Sequence, residues 1–67
     1  MSPIRRTAMR LKTLRTKQGL SQRVLAERAG ISREYLARLE TARQDPTLST
    51  LEKLAKALRV KLSALLD

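Results

Sequence analysis

Apolar residues recur along the chain at helical spacing, and no segment shows the sustained alternation of a half-buried strand. Near the N-terminus, apolar residues follow one another at intervals of three or four, which places them on one face of a helix. This stripe comprises Ile4, Ala8, Leu11 and Leu14. Gly19 is expected to end the first helix, because glycine readily adopts the left-handed conformation that follows many helix C-termini.

Two short helices are predicted next, separated by a sharp turn at Gly30. Ser21 and Ser32 are each placed to cap one of them, because a serine hydroxyl accepts a hydrogen bond from a backbone N–H of the first helical turn. Gly30 supplies the positive φ of the turn, and Ile31 is expected to anchor the turn in the core. Leu25, Ala26 and Ala29 form the inner face of the first of these helices, and Tyr35, Leu36 and Leu39 give the second its helical period.

Two further helices are predicted beyond Pro46. Proline disfavours a helical conformation of the residue before it, so the third helix must end before Asp45. Ser49, followed three residues later by Glu52, is typical of a capping box that opens a fourth helix. The fourth helix carries Leu51, Leu54, Ala55 and Leu58, and a last short helix holds Leu62, Leu65 and Leu66. The pattern predicts an all-α fold, a compact arrangement of five helices in one domain that spans residues 1–67.

The charge balance indicates a polyanionic partner. The 67 residues include 15 Lys and Arg against 6 Asp and Glu, a net charge of +9. The N-terminal part is the most basic, since no acidic residue precedes Glu27. For Arg5, Arg6 and Arg10, two interpretations stay open: a solvated face that only raises the local potential, or direct phosphate contacts.

Several function classes lack the side chains they need. Without cysteine or histidine, the chain has no disulfide, no thiolate zinc site and no histidine general base, and we expect neither enzyme activity nor a metal or other cofactor. No stretch approaches the ~20 apolar residues of a membrane span, and no apolar signal region is present, which favours a cytoplasmic, nucleoid-associated protein without a membrane partner. A single aromatic residue, Tyr35, is too few for single-strand binding by base stacking.

The stretch from Gln22 to Thr41 is typical of a helix-turn-helix, in which the second helix can enter the major groove of DNA. An ordinary αα-hairpin in a helical bundle would share its glycine and leucine pattern. The outer face of the third helix distinguishes the two, because arginine can contact guanine in bidentate fashion and glutamate can accept a hydrogen bond from cytosine. That face comprises Arg33, Glu34, Ala37 and Arg38, with Tyr35 at its edge.

Residues 19–40, GLSQRVLAERAGISREYLARLE, followed by PTLSTLEKLAKAL at 46–58, closely resemble the phage-repressor/Cro-like (XRE) family of helix-turn-helix regulators. The likeness extends from about Leu11 to Leu66. It implies a lambda-repressor-like fold and a transcriptional regulator of repressor or controller type. Such a protein binds double-stranded DNA sequence-specifically, at a palindromic operator, as a homodimer. The alternative is an antitoxin, which binds both its own operator and a toxin protein.

The resemblance also implies roles for individual residues. Base reading falls on Arg33, Glu34 and Arg38, although an intrahelical ion pair between Glu34 and Arg38 is a competing role for Glu34. Arg15 and Glu40 correspond to a structural ion pair that holds the reading helix against the first helix. The predicted phosphate contacts are Gln22, Arg23, Ser32 (a helix cap first), Tyr35, Thr41 and Arg43. The predicted dimer interface is drawn from five apolar residues near the chain end, more than one short helix can hide, although some of them must fill the core instead. They are Leu58, Val60, Leu62, Leu65 and Leu66.

Two positions depart from the family pattern. Ala42 and Arg59 stand where the family commonly has glycine at the end of a helix, and a positive φ at either would be strained. Either these turns differ, or the strain is tolerated. Lys61 replaces the usual capping serine or threonine of the last helix, so the start of that helix is the least defined boundary.

Overall fold

Five helices follow one another along residues 3–66, which are the residues that this computed structural model describes. They are α1 (Pro3–Lys17), α2 (Gln22–Ala29), α3 (Arg33–Glu40), α4 (Leu48–Leu58) and α5 (Ser63–Leu66). No strand occurs within this range. The predicted all-α, five-helix fold is therefore confirmed.

The core is built from leucines contributed by every helix. α2 packs against α3 and α4, while α1 packs against α3 and α5, so each helix buries its apolar stripe against at least one neighbour. Burying one leucine side chain stabilises a fold by about 1.5–3 kcal/mol, which makes these contacts the main source of stability in so short a chain. The fully buried leucines are Leu11, Leu25, Leu36, Leu54, Leu58 and Leu65.

The starts of α2 and α3 confirm the predicted serine caps. Ser21 Oγ accepts a hydrogen bond from the backbone N–H of Val24 at 3.1 Å, and Ser32 Oγ accepts one from Tyr35 at 3.0 Å. Both serines have the extended backbone that an N-cap requires. The two short helices at the centre of the sequence motif therefore begin where the sequence predicts.

The predicted capping box at Ser49 is wrong, because α4 begins earlier. Thr47 is the N-cap, and its hydroxyl accepts a hydrogen bond from the backbone N–H of Thr50 at 3.1 Å. Thr47 directly follows Pro46 in an extended conformation, so the helix starts at the first hydroxyl that can cap it. At the other end of the chain, Leu62 lies just before α5 rather than within it.

The ends of α3 and α4 adopt left-handed turns without glycine. Ala42 and Arg59 both have φ of 58°. At the end of α3, the N–H of Ala42 donates to Leu39 O at 3.2 Å and the N–H of Arg43 donates to Arg38 O at 2.9 Å, the pattern of a Schellman motif. The turns thus keep the geometry usual for glycine, and the strain is tolerated because the motif satisfies the last carbonyl groups of the helix.

Candidate nucleic-acid interface

The turn between α2 and α3 exposes one face of α3. Gly30 has φ of 72° and donates its N–H to Glu27 O, while the N–H of Ile31 donates to Ala26 O. Leu36 and Leu39 are buried in the core, which leaves the opposite side of α3 in solvent. Arg33, Glu34 and Arg38 are exposed on that side, and Ala37 is half-buried.

The structure does not form the ion pair between Glu34 and Arg38 that was the alternative role for Glu34. Glu34 lies beside Arg33 instead, with 3.8 Å between Arg33 Nη2 and Glu34 Oε2. The Arg38 guanidinium turns toward the chain that follows α3, where its Nε donates to Gln44 Oε1 at 2.9 Å. An exposed intrahelical pair contributes only about 0.2–0.5 kcal/mol, so it is easily replaced by another partner.

Tyr35 lies at the edge of the exposed face. Its ring is half-buried, and the Arg38 guanidinium carbon is 5.9 Å from the ring centroid. Its hydroxyl is 3.4 Å from Thr50 Oγ1 on α4. Tyr35 therefore connects the outer face of α3 to the start of α4, a contact that the sequence pattern did not reveal.

The other predicted phosphate contacts lie around the ends of α2 and α3. Arg23 is exposed on α2 and pairs with Glu27 at 3.0 Å. Thr41 is exposed after α3, where its hydroxyl donates to the Ala37 carbonyl at 3.0 Å. Ser32 serves as a helix cap, and Arg43 is exposed in the connection to α4. Ser32 thus precedes α3, and Thr41 and Arg43 follow it.

A buried polar network fixes α3 to the rest of the fold. Arg15 Nε donates to Glu40 Oε2 at 2.6 Å, and Arg15 Nη2 donates to Glu40 Oε1 at 3.0 Å. Arg15 Nη1 donates to the Leu20 carbonyl at 2.7 Å. The Glu40 side chain is only 2% exposed, so its charge depends on these donors. The structure thus places Arg15 and Glu40 in the direct contact that the family resemblance implies.

Gln22 belongs to the same network. Its Nε2 donates to Glu40 Oε1 at 3.1 Å, which links the first residue of α2 to the last residue of α3. The role predicted for Gln22 from the sequence was a phosphate contact alone. Because an amide nitrogen has two hydrogens, the bond to Glu40 leaves one N–H and the carbonyl oxygen for other partners.

The basic residues of α1 lie on different sides of the helix. Arg5 and Lys12 line a groove of about 340 Å³ together with Thr41 and Ala42, at the end of α3. Arg10 lines a separate groove of about 240 Å³ with Ala64 of α5. Arg5 and Lys12 therefore lie near the C-terminal end of α3, whereas Arg10 lies beside α5. Arg6 is exposed on α1 but lines neither groove.

Two of the five predicted dimer-interface residues are buried within the chain. Leu58 is 1% exposed and Leu65 is 0% exposed, because α5 folds back against α1 and α4. Including them in an interface was wrong. Val60 and Leu62 are half-buried against the core, and Leu66 is 44% exposed.

Met9 is an exposed apolar residue that the sequence analysis missed. It is 55% exposed and lines the groove that also contains Leu14 and Ala64. Met9 follows Ala8 directly and so lies off the apolar stripe of α1, which is the feature of the sequence that could have predicted its exposure.

No helix among residues 3–66 is long and apolar enough to cross a membrane.

Comparisons with known proteins agree with this geometry. The family model described as Helix-turn-helix matches residues 11–65. The immunity repressor protein of Bacillus phage phi105 is 48% identical over 56 residues, which cover 84% of this chain and 39% of that protein. The chain thus spans well under two thirds of that relative.

Solved structures show the same fold. The restriction-modification controller protein C.AhdI from Aeromonas hydrophila superposes with a TM-score of 0.91 at 35% identity, covering 92% of this chain and 94% of that one. SinR of Bacillus subtilis, solved in complex with DNA, superposes with a TM-score of 0.86 at 37% identity, covering 91% and 98%. The predicted family is confirmed: the chain belongs to the phage-repressor/Cro-like (XRE) family of helix-turn-helix proteins.

Proposed function

We propose that this chain binds double-stranded DNA sequence-specifically and acts as a transcriptional regulator of repressor or controller type. The observation that carries the proposal is the exposed face of α3. Its two arginines stand in solvent, while the opposite side of the helix is fixed by core leucines and by the network around Glu40. An α-helix fits the major groove, where arginine distinguishes guanine from the other bases.

The relatives support this choice of ligand. The phi105 protein is named an immunity repressor, C.AhdI is a restriction-modification controller, and SinR was solved bound to DNA. The proposal includes a non-enzymatic role, because regulation of this kind requires only binding to DNA, and a cytoplasmic, nucleoid-associated location, where duplex DNA lies.

Base reading is proposed for Arg33, Glu34 and Arg38. The two arginines can each donate two hydrogen bonds to the O6 and N7 atoms of guanine, and Glu34 can accept from the N4 amine of cytosine. Glu34 is exposed and only 3.8 Å from Arg33, so the two side chains can present a paired donor and acceptor to adjacent bases.

Phosphate contacts are proposed at the edges of this face. Gln22 lies at the N-terminus of α2, where the helix dipole favours an anion, and the bond to Glu40 leaves one of its N–H groups available. Arg5 and Lys12 lie beside Thr41 and extend the positive potential along the end of α3. The remaining proposed contacts are Arg23, Ser32, Tyr35, Thr41 and Arg43.

Dimerisation on a palindromic site is part of the proposal, since one recognition helix reads only a few base pairs. The surface available for it differs from the sequence prediction. Leu66 is exposed, and Val60 and Leu62 retain partial exposure. A groove lined by Met9 and Leu14 lies next to Ala64 of α5.

Selection of duplexes from a random pool tests the proposed function. The protein should enrich one palindromic sequence, with half-sites about 34–36 Å apart as the docking geometry of phage repressors requires. The affinity for the enriched duplex should fall linearly with salt on a logarithmic scale, with a slope of about −0.9 per phosphate contacted. A pool that stays random, or binding independent of salt, would contradict the proposal.

A further inference from the structure

Arg38 has a partner outside its own helix. Its Nε donates to Gln44 Oε1 at 2.9 Å, and its guanidinium carbon lies 5.9 Å from the centroid of the Tyr35 ring. The guanidinium is therefore held from two sides, by an amide oxygen and by an aromatic ring. The bond to Gln44 uses Nε and leaves the terminal Nη1 and Nη2 groups without a partner in the described chain.

The left-handed turn after α3 brings Gln44 to this position. Ala42 has φ of 58°, and the N–H of Arg43 donates to the Arg38 carbonyl at 2.9 Å. These two features reverse the chain at the end of α3, so that Gln44 returns to the side chain of Arg38. The backbone strain at Ala42 thus has a consequence at the exposed face of α3.

We propose that Gln44 is a positioning residue for base reading by Arg38. By accepting from Nε, it fixes the plane of the guanidinium and directs Nη1 and Nη2 outward as a fork toward guanine O6 and N7. A free arginine would lose side-chain entropy on binding, and holding it beforehand reduces that loss. This inference rests on the proposed function and adds a specificity-determining residue to it.

The consequence is confined to specificity. Gln44 holds only the group that reads the base, so its loss weakens the contact to the preferred base pair and leaves backbone contacts intact. A Gln44 side chain that contacted DNA through its own amide would behave differently, since its effect would persist in a chain that lacks the Arg38 guanidinium. A double-mutant cycle separates these two roles.

The experiment uses three kinds of duplex. They are the palindromic duplex that the wild-type protein enriches, a scrambled duplex of equal length, and palindromic duplexes changed at the one base pair for which Arg38→Ala loses its preference. Gln44→Met has nearly the same length but offers only a weakly accepting sulfur, whereas Gln44→Glu retains an oxygen acceptor. We expect Gln44→Met to reduce the preference for that base pair about three- to tenfold, as for the loss of one exposed hydrogen bond, with unchanged affinity for the scrambled duplex. Gln44→Glu should keep the preference, while its added negative charge weakens binding to every duplex.

The double variant Arg38→Ala/Gln44→Met should retain the same preference among base pairs as Arg38→Ala alone. In the free protein, the NMR signal of the Arg38 Nε–H should move upfield in Gln44→Met, where it loses its amide acceptor, and should stay hydrogen-bonded or move downfield in Gln44→Glu, whose carboxylate is a stronger acceptor. If Gln44→Met retains full preference, or if the double variant loses more than Arg38→Ala, the positioning role is wrong while DNA recognition stands. A wild-type protein that prefers no sequence would overturn the proposed function and this inference together.

Discussion

Arg15 and Glu40 form a bidentate ion pair that joins α1 to the end of α3. The distances are 2.6 Å from Nε to Oε2 and 3.0 Å from Nη2 to Oε1, and the exposed fractions of the two side chains are 11% and 2%. A buried pair of this kind makes each partner dependent on the other, because removal of one leaves an uncompensated buried charge. The orientation of α3 depends on this contact.

Arg15→Met should lower the free energy of unfolding by about 3–5 kcal/mol, because the Glu40 carboxylate loses its cation while it stays buried. Urea denaturation followed by circular dichroism measures the change. The double variant Arg15→Met/Glu40→Leu should recover part of the loss, since no buried charge then remains unpaired.

The exposed pair between Arg23 and Glu27 is the matched control, with 3.0 Å between its charged atoms. Arg23→Met should change the free energy of unfolding by less than about 1 kcal/mol, because water and salt screen an exposed pair. Equal effects of Arg15→Met and Arg23→Met would contradict the role assigned to the buried network.

Ala42→Gly and Gly30→Ala should change stability in opposite directions. Both positions are left-handed, with φ of 58° and 72°, and a Cβ at Gly30 would meet nothing within 4 Å. The effect is therefore one of backbone strain, offset by the entropy of glycine in the unfolded chain, and we expect about 1 kcal/mol of stabilisation for Ala42→Gly and a similar loss for Gly30→Ala. Thermal unfolding of both variants decides this, and a loss of stability in Ala42→Gly would show that the strain account is wrong.

The start of α4 offers a test of the corrected cap. Thr47→Ala should destabilise the protein by about 1 kcal/mol, because the N–H of Thr50 loses its acceptor. Ser49→Ala should stay within about 0.5 kcal/mol of the wild type, since Ser49 is exposed inside the helix. The midpoint of urea denaturation measures both, and the reverse order would restore the capping box predicted from the sequence.

Assembly on DNA should depend on Leu66 rather than on Leu65. Leu66→Lys places a charge on the 44%-exposed position and should weaken the complex of two chains with one palindromic duplex, leaving the thermal midpoint nearly unchanged. Leu65→Ala should instead lower the stability of the chain by about 2–5 kcal/mol, because Leu65 fills the core. Analytical ultracentrifugation with and without the duplex gives the stoichiometry. A wild-type protein that binds the palindrome only as a monomer would contradict the dimer.

Helical periodicity was sufficient to predict the elements and most of the core. Leu25, Leu36 and Leu54 are buried as expected, since their spacing places them on the inner faces of helices. The boundary of α4 was missed because Thr47 and Ser49 both carry a hydroxyl that can serve as an N-cap, and only the backbone after Pro46 decides between them.

The partners of exposed side chains were harder to predict. Gln44 contacts Arg38 only because the turn at Ala42 reverses the chain, and the sequence left the geometry of that turn open. Leu58 and Leu65 were assigned to an interface because their burial depends on how α5 folds back, which periodicity in so short a helix does not determine. The spacing of apolar residues was enough to predict the helices, whereas the packing of the helices and turns determines which side chains contact one another.

In the proposed function, the exposed face of α3 reads bases, while residues at its edges contact the DNA backbone. Fluorescence anisotropy titrations of wild type, Arg38→Ala and Gln22→Ala test it most directly, at one salt concentration, on the enriched duplex and its single-base-pair variants. Arg38→Ala should lose about 1–3 kcal/mol on the preferred duplex and its preference at one base pair, whereas Gln22→Ala should weaken binding to all sequences about equally. If both variants lose affinity with base preference unchanged, α3 is not the reading element that the account requires.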